Sequence, residues 1–156
     1  MLMSPEESLQ LLLRRWDSTV DVVRSYGGTP GDIWRAGLIL GVRIYAERRD
    51  AAGNPVRDPY VFRLDFADYD DHAARVQLCD PSDPTRVGEG KEFYPLIDGN
   101  SVFSHEAFFC MPGDRRCYEH GTGQHKEWME KHHYHPDIVI GSLFEILRSP
   151  GYRERS

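Results

Sequence analysis

Leu9, Leu12, Leu13, Trp16, Val20 and Val23 recur at the three- and four-residue spacing of one helical face. Ser4-Pro5-Glu6-Glu7 ahead of them has the chemistry of a helix start. The Ser4 hydroxyl suits the Glu7 amide, Pro5 fits the first turn, and Glu7 completes a capping box. Gly27-Gly28-Thr29-Pro30-Gly31 closes the run. The pattern predicts one amphipathic N-terminal helix with its apolar stripe on a core.

The period then changes to two. Leu38, Leu40, Val42, Ile44 and Ala46 alternate with Ile39, Gly41, Arg43, Tyr45 and Glu47, the signature of a strand with one dominant buried face. Asp50-Ala51-Ala52-Gly53-Asn54-Pro55 reads as a turn. A second strand over Tyr60 to Phe66 puts Tyr60, Phe62, Leu64 and Phe66 on one face and Val61, Arg63 and Asp65 on the other. After a connection at 68–72, Ala74, Val76 and Leu78 give a third. Short links between successive strands favour an antiparallel meander.

The segment Asp80 to Gly90, with its prolines and glycines, reads as an exposed loop, and Glu92 to Ile97 as a fourth short strand. From Asp98 to His135 periodicity fades and histidine, cysteine, glycine and charge become common. Long irregular segments inside a domain are often functional. Order returns with Ile140, Leu143, Phe144 and Leu147 on one helical face, Pro136 at its start and Ser149-Pro150-Gly151 at its end. There is no internal repeat and no shift in composition. The expected architecture is a single α+β domain over 1–156: an N-terminal helix, a four-stranded antiparallel meander, an irregular Cys/His-rich segment and a C-terminal helix.

Composition adds little to this picture beyond what it excludes. With 156 residues the chain is long enough to bury roughly two-thirds of its unfolded surface without a disulfide or a metal. Hydrophobic residues at 40%, with three Trp, eight Tyr and seven Phe, are those of a globular protein. The net charge is −6, from 19 basic and 25 acidic side chains, with no long basic run. Nucleic acid is therefore not an expected partner. Met1-Leu2-Met3 leads directly into charged sequence, and no apolar run approaches the length of a span. Neither export nor a membrane is expected. With three cysteines, an odd count, the expected compartment is the reducing cytoplasm.

Chemistry concentrates in the irregular segment. Cys110 lies within Phe108-Phe109-Cys110-Met111, with Arg115 and Arg116 close behind. A nucleophilic thiol needs access and a stabilised thiolate, for which these arginines are candidate sources of positive potential. The same cysteine also reads as a packed side chain or as half of a disulfide with Cys117. Cys110, Cys117, His120 and His125 together offer sulfur and imidazole ligands for zinc, the one cofactor this segment suggests. Their first spacing is wider than that of common structural sites. His105 is a candidate base, since its ordinary pKa lies near neutrality, or else a plain loop histidine. Asp114 and His120 carry the same ambiguity. His132, His133 and His135 read as exposed polar residues, or else as a second cluster able to bind a metal or shuttle protons. Trp128 reads as an anchor of the segment or as a contact for a bound partner. Cys79, at a strand end on the face opposite Leu78, is the weakest thiol candidate.

In the order of its elements the chain resembles the ubiquitin-conjugating (ubiquitin-carrier) superfamily, including its divergent bacterial members and non-catalytic variants. The residues that carry the resemblance are the first helix, the strand at Leu38 to Glu47, Pro59-Tyr60-Val61-Phe62-Arg63-Leu64-Asp65-Phe66, the bend at Tyr69, and the strand at Ala74 to Leu78. Farther on, Cys110, Trp128 and the helix ending Leu147-Arg148-Ser149-Pro150 look like the family's cysteine, tryptophan and proline-terminated helix. The resemblance implies that Cys110 accepts a ubiquitin-like modifier as a thioester and that an activating enzyme supplies it. Asn100, in Asp98-Gly99-Asn100, retains only the asparagine of the family's His-Pro-Asn tripeptide. It would stabilise the oxyanion or hold the nearby backbone. A non-catalytic protein-interaction domain and a zinc-stabilised module are the other two functions this pattern allows.

Overall fold

The computed structural model describes residues 4–67, 69, 73–99, 102–103, 114 and 135–155, and arranges them as an α+β fold. Helix α1 (Pro5–Arg14) begins as expected, with the Glu7 amide donating to Ser4 Oγ at 3.2 Å. The expected single helix is in fact two. At Arg15 the backbone relaxes to φ −97° and ψ −3°, and α2 (Trp16–Ser25) follows. The Arg15 carbonyl is crowded with donors: the Thr19 amide at 2.9 Å, Thr19 Oγ1 at 2.5 Å and Ser18 Oγ at 3.1 Å. Such side-chain competition for a backbone acceptor bends helices.

The break also changes which residues face inward. Leu13, part of the expected stripe, is 43% exposed, whereas Ser8 and Thr19 are fully buried beside Leu12 and Val23. Leu11, Trp16, Val20 and Val22 pack partly against the core.

Five antiparallel strands, not four, form the main sheet, in the order β1 (Ile33–Ala36), β2 (Ile39–Arg49), β3 (Pro55–Asp65), β4 (Arg75–Asp80) and β5 (Asp83–Val87). The three central strands lie where the alternation predicts them, but β3 begins at Pro55, five residues before the expected start at Tyr60 and inside the expected turn. The β2–β3 hairpin runs in unbroken register from Ile39↔Asp65 to Arg49↔Pro55. Asp50 sets its turn, with Oδ1 accepting the amides of Ala52 and Asn54 at 2.9 Å each.

The two edge strands are corrections to the sequence reading. β1 has only Ile33 buried, and β5 takes five residues, Asp83–Val87, from the middle of the expected Asp80–Gly90 loop. Pro84 is tolerated in β5 because it lies in an edge strand, where a missing backbone donor faces no partner. The expected fourth strand shrinks to β6 (Pro95–Ile97). It pairs outside the main sheet with a strand that the pattern did not predict, β7 (Tyr152–Arg155).

On the inner face of the sheet, Leu40, Val42, Ile44, Ala46, Tyr60, Phe62, Leu64, Phe66, Val76 and Leu78 form one core with helix α3 (Pro136–Leu147). Ile140, Leu143, Phe144 and Leu147 of α3 are buried, as its spacing predicts, and Val139 is buried beside them. Burying each such side chain stabilises the fold by about 1.5–3 kcal/mol. α3 also packs on α2, where Tyr26 stacks on Phe144 at 4.7 Å with the rings 5° from parallel. Tyr26 donates to Glu145, and Arg148 lies over both rings.

Candidate functional site

Asn100, His105, Cys110, Arg115, Arg116, Cys117, His120, His125 and Trp128 lie outside the described residues. Among the described residues, the Asp98–His135 segment is seen against the rest of the fold at Asp98, Phe103, Asp114 and His135.

The first is Asp98, whose amide donates to the Gly151 carbonyl at 2.8 Å as the chain leaves β6. The second is Phe103, buried with its ring edge against Tyr94 at 5.8 Å. The third is Asp114, four residues beyond Cys110. It is fully buried and forms a parallel bridge with Ala74 at the foot of β4. The fourth is His135, which precedes α3 and shares a 2.5 Å hydrogen bond between its Nδ1 and the Tyr69 hydroxyl. Tyr69 is itself buried, edge-on to Phe66 at 5.5 Å.

Two of these placements change the sequence reading. His135 is 8% exposed, so it does not belong to an exposed histidine cluster. Asp114, read from the sequence as a candidate base or a plain loop residue, is fully buried beside Ala74. Neither has a neighbourhood with apolar periodicity, so no spacing rule marks them as interior. The only available signal was Pro136, which fixes a helix start and therefore places His135 at its cap.

A second polar cluster joins β7 to the sheet, and the sequence reading missed it. The Tyr60 and Tyr152 hydroxyls lie 2.9 Å apart, Tyr152 donates to Asp58 Oδ2 at 2.6 Å, and Arg48 Nε meets the same oxygen at 2.8 Å. Burial, followed by the hydrogen bond to Asp58, pushes the Tyr152 phenol far above its ordinary pKa. Tyr152 therefore stays protonated and remains a donor. The four polar positions are 48, 58, 60 and 152, spread too widely in sequence for a motif to link them.

Cys79 is settled by its surroundings. It is 1% exposed on the outer face of the sheet, and burial pushes its thiol above the ordinary value despite the nearby Arg63. Trp34, Arg63, Pro84 and Thr85 line a cavity of about 120 Å³ beside it. The face opposite Leu78 is thus covered here, and a buried neutral thiol is a poor nucleophile.

Among the described residues, no three His, Cys, Asp or Glu side chains converge as a metal site. The zinc candidates Cys110, Cys117, His120 and His125 are not among those residues. No described helix is long and apolar enough to cross a membrane. No protein-family model, curated protein or solved structure matches the chain.

Proposed function

We propose that this chain is a divergent ubiquitin-carrier-like protein that holds a ubiquitin-like modifier as a thioester on Cys110 and passes it to an amine. The Cys110 thiolate attacks the activated carboxyl carbon of the modifier, and the activating enzyme's leaving group departs as the carbon–sulfur bond forms. An amine then attacks the same carbonyl. A carbon–nitrogen bond replaces the carbon–sulfur bond, Cys110 leaves as thiolate, and the surplus proton passes to a base, for which His105 is the candidate. Asn100 serves the oxyanion that forms in each step, and Arg115 and Arg116 favour the thiolate. Trp128 is assigned to partner contact.

The observation that carries this reading is the anchoring of the chain on both sides of the cysteine. Asp98 is bonded to Gly151, and Asp114 is buried against Ala74, so the stretch bearing Asn100 and Cys110 begins and ends on packed framework. Acyl transfer gains from such support, because donors must stand ready where charge develops. The central strands β2, β3 and β4, with α3 behind them, keep the element order on which the family resemblance rests.

The test of the alternatives is direct. A non-catalytic interaction domain would bind its partner equally well as Cys110→Ala. A zinc module would carry close to one zinc per chain when purified without a histidine tag. The carrier reading expects neither result. It expects a modifier adduct that thiols remove.

A further inference from the structure

The outer face of the main sheet carries a charge opposite to that of the chain as a whole. In β2, β3 and β4 the positions that alternate with the core residues hold Arg43, Arg49, Arg57, Arg63 and Arg75 against Glu47 and Asp65. The chain has a net charge of −6, so this excess of arginine is local to one face. The acids of the face meet it weakly. Arg57 lies 4.0 Å from Glu47 and Arg63 3.8 Å from Asp65, both long for a charge-assisted bond. Arg43 and Arg75 have no ion pair among the described residues.

The register sets three of these arginines on a diagonal. Arg43 lies opposite Val61 on β3, Arg63 is two residues farther along that strand, and Arg75 on β4 lies opposite Asp65, two residues farther again. One strand across and two residues along is a step of about 8 Å. Arg63, in the middle, also lines the cavity of about 120 Å³ beside Cys79. Trp34 reaches that cavity from one edge strand and Thr85 from the other, with Gly41, Val61 and Cys79 between them. Most of its lining is apolar, and a cavity of roughly 150 Å³ of this kind accepts a benzene ring. This one therefore has room for one aliphatic side chain.

We propose that the outer face docks an acidic peptide segment, with one aliphatic side chain in the cavity and carboxylates on Arg43, Arg63 and Arg75. The docking is independent of any reaction at Cys110. A protein segment fits better than a nucleic acid because of what already covers the rings of this face. The Arg43 guanidinium lies over Trp34 at 5.6 Å and that of Arg57 over Tyr45 at 4.2 Å. Single-stranded bases bind by stacking on such rings, and here they would compete with the guanidinium groups. A carboxylate instead meets a guanidinium at its edge, which leaves the stacking intact and the fork already oriented.

The test is fluorescence anisotropy of a labelled synthetic peptide, one leucine between runs of glutamate, titrated with the full chain. Binding should saturate below about 1 mM and weaken as salt rises. Arg43→Glu combined with Arg75→Glu should weaken it about tenfold or more. Exchanging the leucine of the peptide for alanine should also weaken it about tenfold, the effect of an apolar group withdrawn from a buried site. Arg24→Glu, an exposed reversal on α2, should bind as wild type. If the double variant does not fold, Arg75→Glu alone should still weaken binding about threefold.

The proposal is overturned by an absence of saturable binding, by indifference to the sheet arginines or to the leucine, or by an equal loss in Arg24→Glu. A single-stranded oligonucleotide of the same length that binds more tightly than the peptide, and loses affinity with the sheet arginines, overturns it in favour of nucleic acid.

Discussion

Gly41 shows how one residue's lack of a side chain shapes a surface. The Trp34 ring crosses it so closely that a Cβ there would stand 2.2 Å from the indole, and the Arg43 guanidinium lies over the same ring at 5.6 Å. Gly41→Ala should therefore cost about 1–3 kcal/mol through overpacking, read as a lower denaturant midpoint. The double variant with Trp34→Ala should recover part of that loss, because residues in contact are not additive. Tyr152 and Cys79 give a pH dependence of definite sign. Both native pKa values are raised above the ordinary 10.0 and 9.0, so the unfolded chain loses these protons first as pH rises. Their contribution is fully present below about pH 9 and is lost progressively above it. Thermal melts from pH 8 to pH 11 should show a falling Tm, with a shallower fall in Tyr152→Phe than in wild type. An equal slope in the two proteins would remove Tyr152 from this account.

Among the elements, those with a strong period were legible in the sequence, and those held only by their neighbours were not. β2 and β3 show their alternation over Leu40–Ala46 and Tyr60–Leu64, where one face enters the core, and α3 shows its face because five of its residues enter the core. β1, β5 and β7 are short edge segments with few buried side chains, and backbone pairing with an adjacent strand defines them. Such pairing leaves almost no trace in composition. The division into α1 and α2 was hidden for a related reason. Neither glycine nor proline marks Arg15, and the bend comes from the Ser18 and Thr19 hydroxyls. The packing of α3 against α2 can be tested through Phe144, buried at 1% and stacked on Tyr26. Phe144→Ala should cost about 3–5 kcal/mol in chemical denaturation. A loss below about 1 kcal/mol would show that this interface does not support the fold as described.

At the scale of the whole molecule, the α+β class and the core were readable from periodicity, because burial imposes a repeat wherever an element has one wet and one dry face. The candidate site had no such repeat. Its residues were chosen by type, as thiol, imidazole, amide and guanidinium, and the described structure supplies the framework on which that stretch is held. The framework roles of Asp114, His135, Gly151 and Tyr152 were not legible in the sequence because they depend on contacts distant in the chain, among them those with Ala74, Tyr69, Asp98 and Asp58. Their arrangement makes sense if the stretch between Asp98 and Asp114 must hold a reacting group still. Mass spectrometry of the protein after incubation with its cognate modifier and activating enzyme tests that most directly. The account expects an adduct of one modifier on Cys110, released by excess thiol and absent from Cys110→Ala. An adduct that persists in Cys110→Ala, or none at all with a demonstrated cognate pair, would contradict it.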